Sequence, residues 1–312
     1  MQQNMWNRRA ILATGAATAG LAITRTARAQ QVKWSAGTEQ PTLKAPLNAT
    51  DCHHHIYDSR FPVDPAATLK PGDATVADYR MLQKRIGTSR HVVVQPSTYG
   101  VDNRCLLDAL GQFGKTTARG VAVVNTKVKD AELHRLQAAG VRGIRFNIAQ
   151  AGATTIEMIE PLSHRVHPLG WHIQLNMTSD KILANKDLWD RVPTPIVFDH
   201  LAHMREPDGV NDPAFAVVSA LLIKGKGWVK LSGAYADTKV GPPTYADSTA
   251  VAQAYVKLAP QRLVWGSDWP HPTETNKPDD ALLFDLLTVW VPDEKTRHRI
   301  LVENPGRLYG FA

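Results

Sequence analysis

The sequence has few cysteines and no long apolar segment, and each shortage excludes a class of protein. Only Cys52 and Cys105 occur in 312 residues, and they form no Cys-x-x-Cys pair. A disulfide-stapled scaffold and a structural zinc site made of cysteines are excluded, and we expect two buried free thiols. No apolar run reaches the roughly 20 residues that a membrane-spanning helix needs. The fold must therefore be held by a hydrophobic core, for which 43% hydrophobic residues suffice.

The excess of positive charge is concentrated at the N-terminus. The chain has 36 lysines and arginines against 29 acidic residues, for a net charge of +7. Residues 1–29 contain four arginines and no acid, which leaves 32 basic against 29 acidic residues in the remainder, a net charge of +3. So small a balance needs no polyanion to explain it. We therefore expect no nucleic-acid partner.

Residues 1–29 have the three parts of an export signal. A basic start ends at Arg8 and Arg9, an uncharged apolar stretch covers residues 10–23, and a small-x-small end falls at residues 27–29. The adjacent arginines favour the twin-arginine route, which carries folded proteins. A membrane anchor is the alternative, but the apolar stretch is too short to span. We expect cleavage after Ala29, a periplasmic location without membrane contact, and an extended arm over residues 30–47.

Residues 48–312 alternate short β-rich segments with helical patterns. The helical patterns include residues 103–113 and residues 131–139, the second followed by Gly140 as a stop signal. This alternation predicts a parallel sheet, and eight units match a single α/β domain of the (β/α)8 TIM-barrel type. A doubly wound open sheet is the alternative, but no glycine-rich phosphate-binding turn follows an early strand. The predicted strands cover residues 49–57, 91–95, 120–124, 143–148, 172–176, 196–200, 228–231 and 262–265.

The end of the first predicted strand carries a cluster of histidines, and barrel enzymes place catalytic groups at strand ends. Strict alternation puts Asp51, His53 and His55 on one face of this strand and Cys52 and His54 on the other. A His-x-His pair that faces the barrel interior would bind a metal or handle protons. Short histidine clusters also occur in surface loops, so the pair needs partners elsewhere.

Two late strands supply such partners. His200 ends the sixth predicted strand, and Asp268 follows the eighth after a glycine and a serine. Taken alone, His200 could bond a neighbouring carbonyl and Asp268 could cap a turn. Their occurrence together with His53 and His55 is much less expected by chance, and it indicates one catalytic centre.

Seven short motifs follow in order: Asp-Cys-His-His-His at 51–55, Val-Gln-Pro at 94–96, Gly-Ile-Arg-Phe-Asn at 143–147, Phe-Asp-His at 198–200, Lys-Leu-Ser-Gly at 230–233, Gly-Ser-Asp-Trp-Pro-His at 266–271 and Asn-Pro-Gly-Arg-Leu-Tyr at 304–309. With these motifs the sequence resembles the amidohydrolase superfamily, and within it the branch of 2-pyrone-4,6-dicarboxylate lactonase and related lactone-opening enzymes. The resemblance implies a (β/α)8 barrel and hydrolysis of an ester within a ring. It also implies a catalytic centre of His53, His55, His200 and Asp268.

The resemblance also bears on metal content. Two-metal members of the superfamily use a carbamylated lysine at the end of the fourth strand, where this chain has Arg145 and Asn147. A two-metal centre of that type is therefore not expected. One zinc ion could bind the four residues of the catalytic centre, since three nitrogens and a carboxylate suit that ion. The lactonase branch works without a required metal, and we accordingly expect no required cofactor.

Hydrolysis of a lactone needs a base for water and donors for the developing oxyanion. Asp268 is the predicted base, because an ordinary aspartate is ionised at neutral pH. The predicted role of His53, His55 and His200 is to orient the water and to hydrogen-bond the carbonyl oxygen. The alternative is that the same histidines bind a single metal ion that acts as a Lewis acid.

Arg145 is the predicted anchor for the substrate. An arginine that points into a barrel mouth needs an anion, either a substrate carboxylate or sulfonate or an internal partner such as Asp199 or Asp51. Trp269, beside the predicted base, could form a wall of the pocket. The other candidates for substrate contact follow several strands: Asn147, Gln95, Ser97, Thr98, Tyr99, Asn176 and Tyr235.

Three functions are compatible with the sequence. The leading one is an exported hydrolase, monomeric or a small homo-oligomer, that opens a carboxylated or sulfonated lactone of the pyrone-dicarboxylate, muconolactone or sugar-acid type. A zinc-dependent decarboxylase of the same superfamily would use similar residues around a bound metal. A periplasmic binding protein would keep the barrel without the reaction, but burying four polar residues without a use is costly.

Overall fold

The structure is a computed structural model that describes residues 31–149 and 152–311, so the predicted export signal lies outside the described residues. The strands are β1 (Thr50–His54), β2 (Arg90–Val94), β3 (Ala118–Ala122), β4 (Val141–Asn147), β5 (His172–Asn176), β6 (Ile196–Phe198), β7 (Gly227–Leu231) and β8 (Leu263–Trp265). The helices are α1 (Val76–Ile86), α2 (Arg104–Phe113), α3 (Asp130–Ala139), α4 (Ile159–Val166), α5 (Ser179–Ala184), α6 (Leu188–Arg191), α7 (Pro213–Ile223), α8 (Ala246–Leu258), α9 (Asp280–Trp290), α10 (Glu294–His298) and α11 (Asn304–Tyr309).

The eight strands are parallel and pair in chain order from β1 to β8. The segment after β8 returns to β1: the amide of Asp268 donates to the carbonyl of His53 over 2.7 Å, and the amide of His55 donates to the carbonyl of Trp269 over 2.8 Å. The predicted (β/α)8 barrel is therefore confirmed, and all eight predicted strands are present. A doubly wound sheet is excluded, because its strand order reverses part of the way through.

The apolar side chains form two layers, one inside the barrel and one between the strands and the helices. On β4, Ile144 and Phe146 belong to the outer layer, so the intervening Arg145 faces the interior. The inner layer consists of small and branched side chains and one tryptophan from the strands, with two aromatic rings from the C-terminal segment: Cys52, Val92, Val94, Val121, Val197, Trp228, Val264, Tyr309 and Phe311. The barrel interior also holds buried polar side chains, among them Gln174 and Lys230.

Local sequence signals explain where individual helices begin and end. Thr75 and Asp78 form a reciprocal capping box at the start of α1, and Gly87 ends that helix in the left-handed conformation. The predicted stop at Gly140 is present, because this residue ends α3 with a φ of 106°. These signals are local, which is why helix positions could be predicted from sequence.

Residues 31–47 contain no helix or strand and pack against loops of the barrel. The indole of Trp34 donates to the carbonyl of Asp73, and the indole of Trp269 donates to the carbonyl of Lys33. The amide of Ala36 donates to the carbonyl of Pro278 over 2.9 Å. The arm is therefore bonded to the loop that leads into α9. Among the described residues, no helix is both long and apolar enough to cross a membrane.

Candidate active site

A cavity of about 320 Å³ opens at the C-terminal ends of the strands, where barrel enzymes carry their active sites. Three of the four predicted catalytic residues line it directly, namely His55, His200 and Asp268. The fourth, His53, lies beneath them and is fully buried. The structure thus brings together all four residues that the sequence nominated.

One oxygen of the Asp268 carboxylate lies at the centre of the three histidines. Its Oδ1 is 3.4 Å from Nε2 of His53, 3.5 Å from Nε2 of His55 and 3.7 Å from Nε2 of His200. The other oxygen, Oδ2, accepts a hydrogen bond of 2.6 Å from the hydroxyl of Tyr235. The two carboxylate oxygens therefore have separate environments, one facing imidazoles and the other held by a phenol.

The histidines of β1 are placed by a β-bulge that strict alternation does not anticipate. The register with β2 shifts between Asp51 and His54, so neighbouring residues do not simply alternate. Asp51 accepts hydrogen bonds from Tyr79 and Ser267, behind the strand, rather than sharing the site with His53. The predicted shared face of Asp51, His53 and His55 is corrected accordingly. Cys52, predicted to face away, belongs to the inner layer of the barrel.

A left-handed turn after β6 presents His200 to the cavity. Residues 200–203 all have positive φ, between 48° and 59°. For residues other than glycine this conformation costs about 1–2 kcal/mol each, and such strain concentrates at functional sites. Nδ1 of His200 lies 3.0 Å from the hydroxyl of Ser232, which fixes the ring from behind. The turn also brings His203 to the cavity wall.

Burial keeps two of these histidines neutral, while the aspartate stays ionised. Burial lowers the pKa of His53 well below its usual value and that of His200 to about 4. Burial alone would raise the pKa of Asp268, but its interactions with the surrounding imidazoles, that of His200 first, hold that pKa well below the usual range. At neutral pH the centre therefore combines an ionised carboxylate with the neutral imidazoles of His53 and His200.

Hydrogen bonds to the outer nitrogens determine which imidazoles can donate into the cavity. Nδ1 of His55 lies 2.8 Å from the carbonyl of Val94 and must donate to it. Nδ1 of His53 lies 3.2 Å from the ammonium nitrogen of Lys230, which can only donate. Oδ1 of Asp199 lies 3.3 Å from the same nitrogen but makes no hydrogen bond among the described residues. The neutral ring of His53 therefore carries its proton on Nε2 and donates it to Nε2 of His55, 3.3 Å away.

A buried polar network supports the site from below. The ammonium of Lys230 also donates to the carbonyl of Cys52 and to Oε1 of Gln174, and it lies 3.4 Å from Oδ1 of Asp199. Asp199 in turn accepts a hydrogen bond of 3.2 Å from Nε of Arg145. The internal partner considered for Arg145 is thus Asp199, while the same arginine still lines the cavity. Two cations share one buried carboxylate here.

The predicted substrate contacts divide into two groups. The first group lines the cavity and consists of Asn147, Ser97, Asn176, Tyr235 and Arg145.

Four other candidates do not line the cavity and are corrected here. Gln95 is fully buried and donates to the carbonyl of Asp102. The hydroxyls of Thr98 and Tyr99 bond the carbonyls of Leu69 and Asp58 respectively, so both residues hold loops. Trp269 is fully buried and does not wall the pocket. Loop residues point where tertiary hydrogen bonds take them, which spacing along the chain cannot show.

Several cavity residues were not assigned a role by sequence reasoning. They are Tyr57, His203, Asp237 and Glu274. His203 bridges two of its neighbours: Nδ1 lies 2.9 Å from Oδ2 of Asp237, and Nε2 lies 2.7 Å from Oδ1 of Asn176. The spacing of His203, three residues after His200, was the one available signal. The interior position of Lys230 could have been inferred from its place between two apolar residues of β7.

The positions of the possible metal ligands are compatible with a single ion. One ligand atom from each of His53, His200 and Asp268 lies within 4.8 Å of the others, and all three residues are buried. The neutral state of His53 and His200 is the state that metal ligands need. The outer nitrogen of His53 faces both the cation of Lys230, at 3.2 Å, and Oδ1 of Asp199, at 3.3 Å, which is the kind of acceptor that metal-binding histidines use. The arrangement therefore accommodates an ion.

Comparisons with known proteins agree with the fold and identify the family. The sequence profile of the amidohydrolase family matches residues 50–311. A 2-pyrone-4,6-dicarboxylate hydrolase of Comamonas testosteroni is 34% identical over 289 residues, covering 88% of this chain and 94% of that protein. A 4-sulfomuconolactone hydrolase of Rhizobium radiobacter is 34% identical over 273 residues, covering 85% and 91%. An apo crystal structure from Agrobacterium tumefaciens has a TM-score of 0.83 at 29% identity, covering 90% and 99%.

The barrel and the His-x-His, His and Asp centre define this protein as an enzyme of the hydrolytic (β/α)8 class. The chain belongs to the amidohydrolase family. Its curated relatives include enzymes named as hydrolases of lactone rings.

Proposed function

We propose that this protein is an ester hydrolase that opens the lactone ring of a small acid by direct attack of water. The observation that carries the proposal is the position of Asp268 Oδ1 among three imidazole nitrogens at the floor of a closed-ended cavity. An ionised carboxylate there can accept a proton from water, and the imidazoles can hold the water and the carbonyl. The names of the lactone-hydrolysing relatives support the same reaction class.

The tautomers assign separate tasks to the histidines. His53, with its proton on Nε2, donates to the lactone carbonyl oxygen as negative charge develops there. When this proton is engaged by the carbonyl oxygen, the lone pair on Nε2 of His55 is released from His53, accepts one hydrogen of the attacking water and orients its oxygen. Asp268 removes the other hydrogen as the carbon–oxygen bond forms, and the protonated acid returns this proton to the ring oxygen when the ring bond breaks. The products are one hydroxy acid and the regenerated carboxylate.

A metal ion bound by His53, His55, His200 and Asp268 would supply Lewis-acid activation of the same carbonyl or water. We propose that the metal ion is not required. The Lys230 cation donates to Nδ1 of His53 and so keeps the proton of that ring on Nε2, where it can polarise the carbonyl.

The charges around the cavity favour a lactone with one acidic group. Among the described residues that line it, Arg145 is the single arginine, and part of its charge is used by Asp199. Asp237 and Glu274 add negative charge to the wall. A second carboxylate on the substrate would meet these acids, whereas hydroxyl groups could donate to them. We therefore propose a hydroxylated, singly charged lactone, such as a sugar-acid lactone, rather than a dicarboxylate.

A panel of lactones with purified variants tests this function. Wild-type protein should open a singly charged, hydroxylated lactone faster than a pyrone dicarboxylate or a neutral lactone. Asp268→Asn should lower kcat by about 10²- to 10⁴-fold, the range for loss of a general base. Arg145→Met should raise KM for the charged lactone by about 10- to 100-fold, as expected for a lost charge-assisted bond, and should leave neutral lactones unaffected.

Arg142→Met is the matched control for the anchor. Arg142 lies on the same strand but bonds the carbonyls of Gln137 and Val141, away from the cavity. Loss of affinity in both variants, or hydrolysis of dicarboxylates in preference to single acids, would contradict the proposed substrate class. Release of carbon dioxide instead of ring opening would indicate the decarboxylase, and binding of lactones without turnover would indicate a binding protein.

We further propose that residues 1–29 direct export by the twin-arginine route and that the mature protein is periplasmic. The support is the arrangement of paired arginines, a short apolar stretch and a small-x-small end. Lys-Lys in place of Arg8 and Arg9 should abolish export, and the exported protein should begin at Gln30. Recovery of the full-length chain in the cytoplasm of the native host would refute this proposal.

A further inference from the structure

Two buried polar residues near the site take no part in the hydrolysis described above. His271 and Asp280 are both completely buried. Nδ1 of His271 lies 2.8 Å from the hydroxyl oxygen of Tyr235, and Nε2 lies 3.2 Å from Oδ2 of Asp280. Since Tyr235 also bonds Oδ2 of Asp268 over 2.6 Å, these contacts form a continuous chain that ends at the proposed base.

The direction of each of these hydrogen bonds follows from the charge of Asp268. An ionised Asp268 can only accept, so Tyr235 donates its O–H to it. The phenol oxygen then accepts, and among the described residues the donor beside it is Nδ1 of His271, so this nitrogen carries a proton. On the other side of the ring, Nε2 forms a hydrogen bond with Oδ2 of Asp280.

The start of α9 holds Asp280 in place. Asp280 is the first residue of this 11-residue helix. Its Oδ1 has no hydrogen-bond partner among the residues the structure describes, so its side chain bonds His271 through Oδ2 alone. Its backbone is fixed from two sides: the amide of Asp280 donates to the hydroxyl of Ser35 in the N-terminal arm, and Arg85 of α1 pairs with the neighbouring Asp279.

We propose that Asp280, His271 and Tyr235 act as positioning residues that orient the Asp268 carboxylate. By holding Oδ2, these three residues orient Oδ1 toward the three histidines and the attacking water. A carboxylate released from this hold could rotate and bond Arg145 or His203 on the cavity wall. The inference rests on the proposed function for its kinetic consequence, but the protonation of His271 is a property of the protein without substrate.

The first test measures that protonation directly. Histidine-selective ¹⁵N labelling of the intact, ligand-free protein, with the signals assigned by a His271→Asn variant, reports which ring nitrogens carry a proton. We expect Nδ1 of His271 to carry a proton at neutral pH in the wild type. A ring whose Nδ1 is bare overturns the proposal, whether or not the protein hydrolyses lactones.

The second test separates positioning from general stability by kinetics. Tyr235→Phe removes only the hydroxyl and should lower kcat on the order of 100-fold, the loss expected from a small misplacement of a reacting group, with little change in KM. His271→Leu should do the same. His271→Asn should restore most of kcat, because its amide nitrogen can occupy the place of Nδ1 and donate to Tyr235.

Tyr255→Phe is the matched control, since the Tyr255 hydroxyl is buried without a hydrogen-bond partner among the described residues. It should leave kcat unchanged. Equal activity in His271→Leu and His271→Asn, or a loss in Tyr255→Phe as large as in Tyr235→Phe, overturns the positioning role. If no variant, including the wild type, hydrolyses any lactone while the ¹⁵N result stands, the proposed function fails and the buried hydrogen bonds from Asp280 to Asp268 remain.

Discussion

Gly233 lies so close to His200 that no side chain fits between them. A β-carbon added at Gly233 would be 2.7 Å from Nδ1 of His200, and the φ of this glycine is +62°. The glycine follows Ser232, whose hydroxyl holds the same nitrogen. The end of β7 thus packs against the imidazole of His200 and fixes the distance between this ring and Asp268.

Gly233→Ala should therefore impair catalysis more than stability. Both the left-handed φ and the contact with the ring act on this residue, and the backbone cost alone is about 1–2 kcal/mol. Displacing His200 should lower kcat on the order of 100-fold. Gly241→Ala is the control, because Gly241 has a φ of +74° and no atom within 4 Å of the added carbon. Similar unfolding free energies but a loss of kcat in Gly233→Ala alone is the expected result of urea titration and initial-rate assays.

Replacing Lys230 should change the tautomer of His53. In Lys230→Met the donor to Nδ1 is gone, and Asp199 Oδ1, 3.3 Å from that nitrogen, can accept a proton from it. The proton should move from Nε2 to Nδ1, and kcat should fall by about 10²- to 10³-fold because the carbonyl loses a preorganised donor. Lys226→Met, at a half-exposed lysine, is the control. An unchanged ¹⁵N spectrum of His53 in Lys230→Met would show that the lysine does not set the tautomer.

Removal of metal should leave the hydrolysis rate unchanged. The cation of Lys230 behind His53 opposes tight binding of a second cation on the other side of the ring. The measurement is metal content per chain by mass spectrometry, together with lactone hydrolysis before and after dialysis against a chelator. Activity that disappears with the chelator and returns with one zinc per chain would assign the four residues as ligands instead.

The fold and the catalytic set could be predicted because their signals are local. Each strand is a short β-rich run between turn residues, and His53, His55, His200 and Asp268 stand at strand ends where a barrel collects them. The face of Asp51 could not be predicted, because a bulge in the ladder with β2 shifts the alternation. The hydrogen bonds behind Tyr235 could not be predicted either, because His271 and Asp280 lie 36 and 45 positions further along the chain.

The protein should lose stability on mild acidification. Burial lowers the pKa of His91 and of His172 to about 3, whereas an unfolded histidine titrates near 6.5. Between these values the unfolded chain binds more protons, so the free energy of unfolding falls as the pH falls. Each residue can remove about 2 kcal/mol between pH 6.5 and pH 5. Burial acts in the opposite sense on Asp51 and raises its pKa to about 6, which offsets one of the two histidines in this range.

His172→Leu isolates one contribution to this acid sensitivity. Both ring nitrogens of His172 lack hydrogen-bond partners within the described part of the chain, so the substitution removes the titration without breaking a bond. Urea unfolding at pH 7 and pH 5 should show a smaller loss of stability in the variant than in the wild type, by about 2 kcal/mol. Equal pH dependence in both proteins would mean that His172 is protonated in the folded state, and that the floor of the barrel admits water to it.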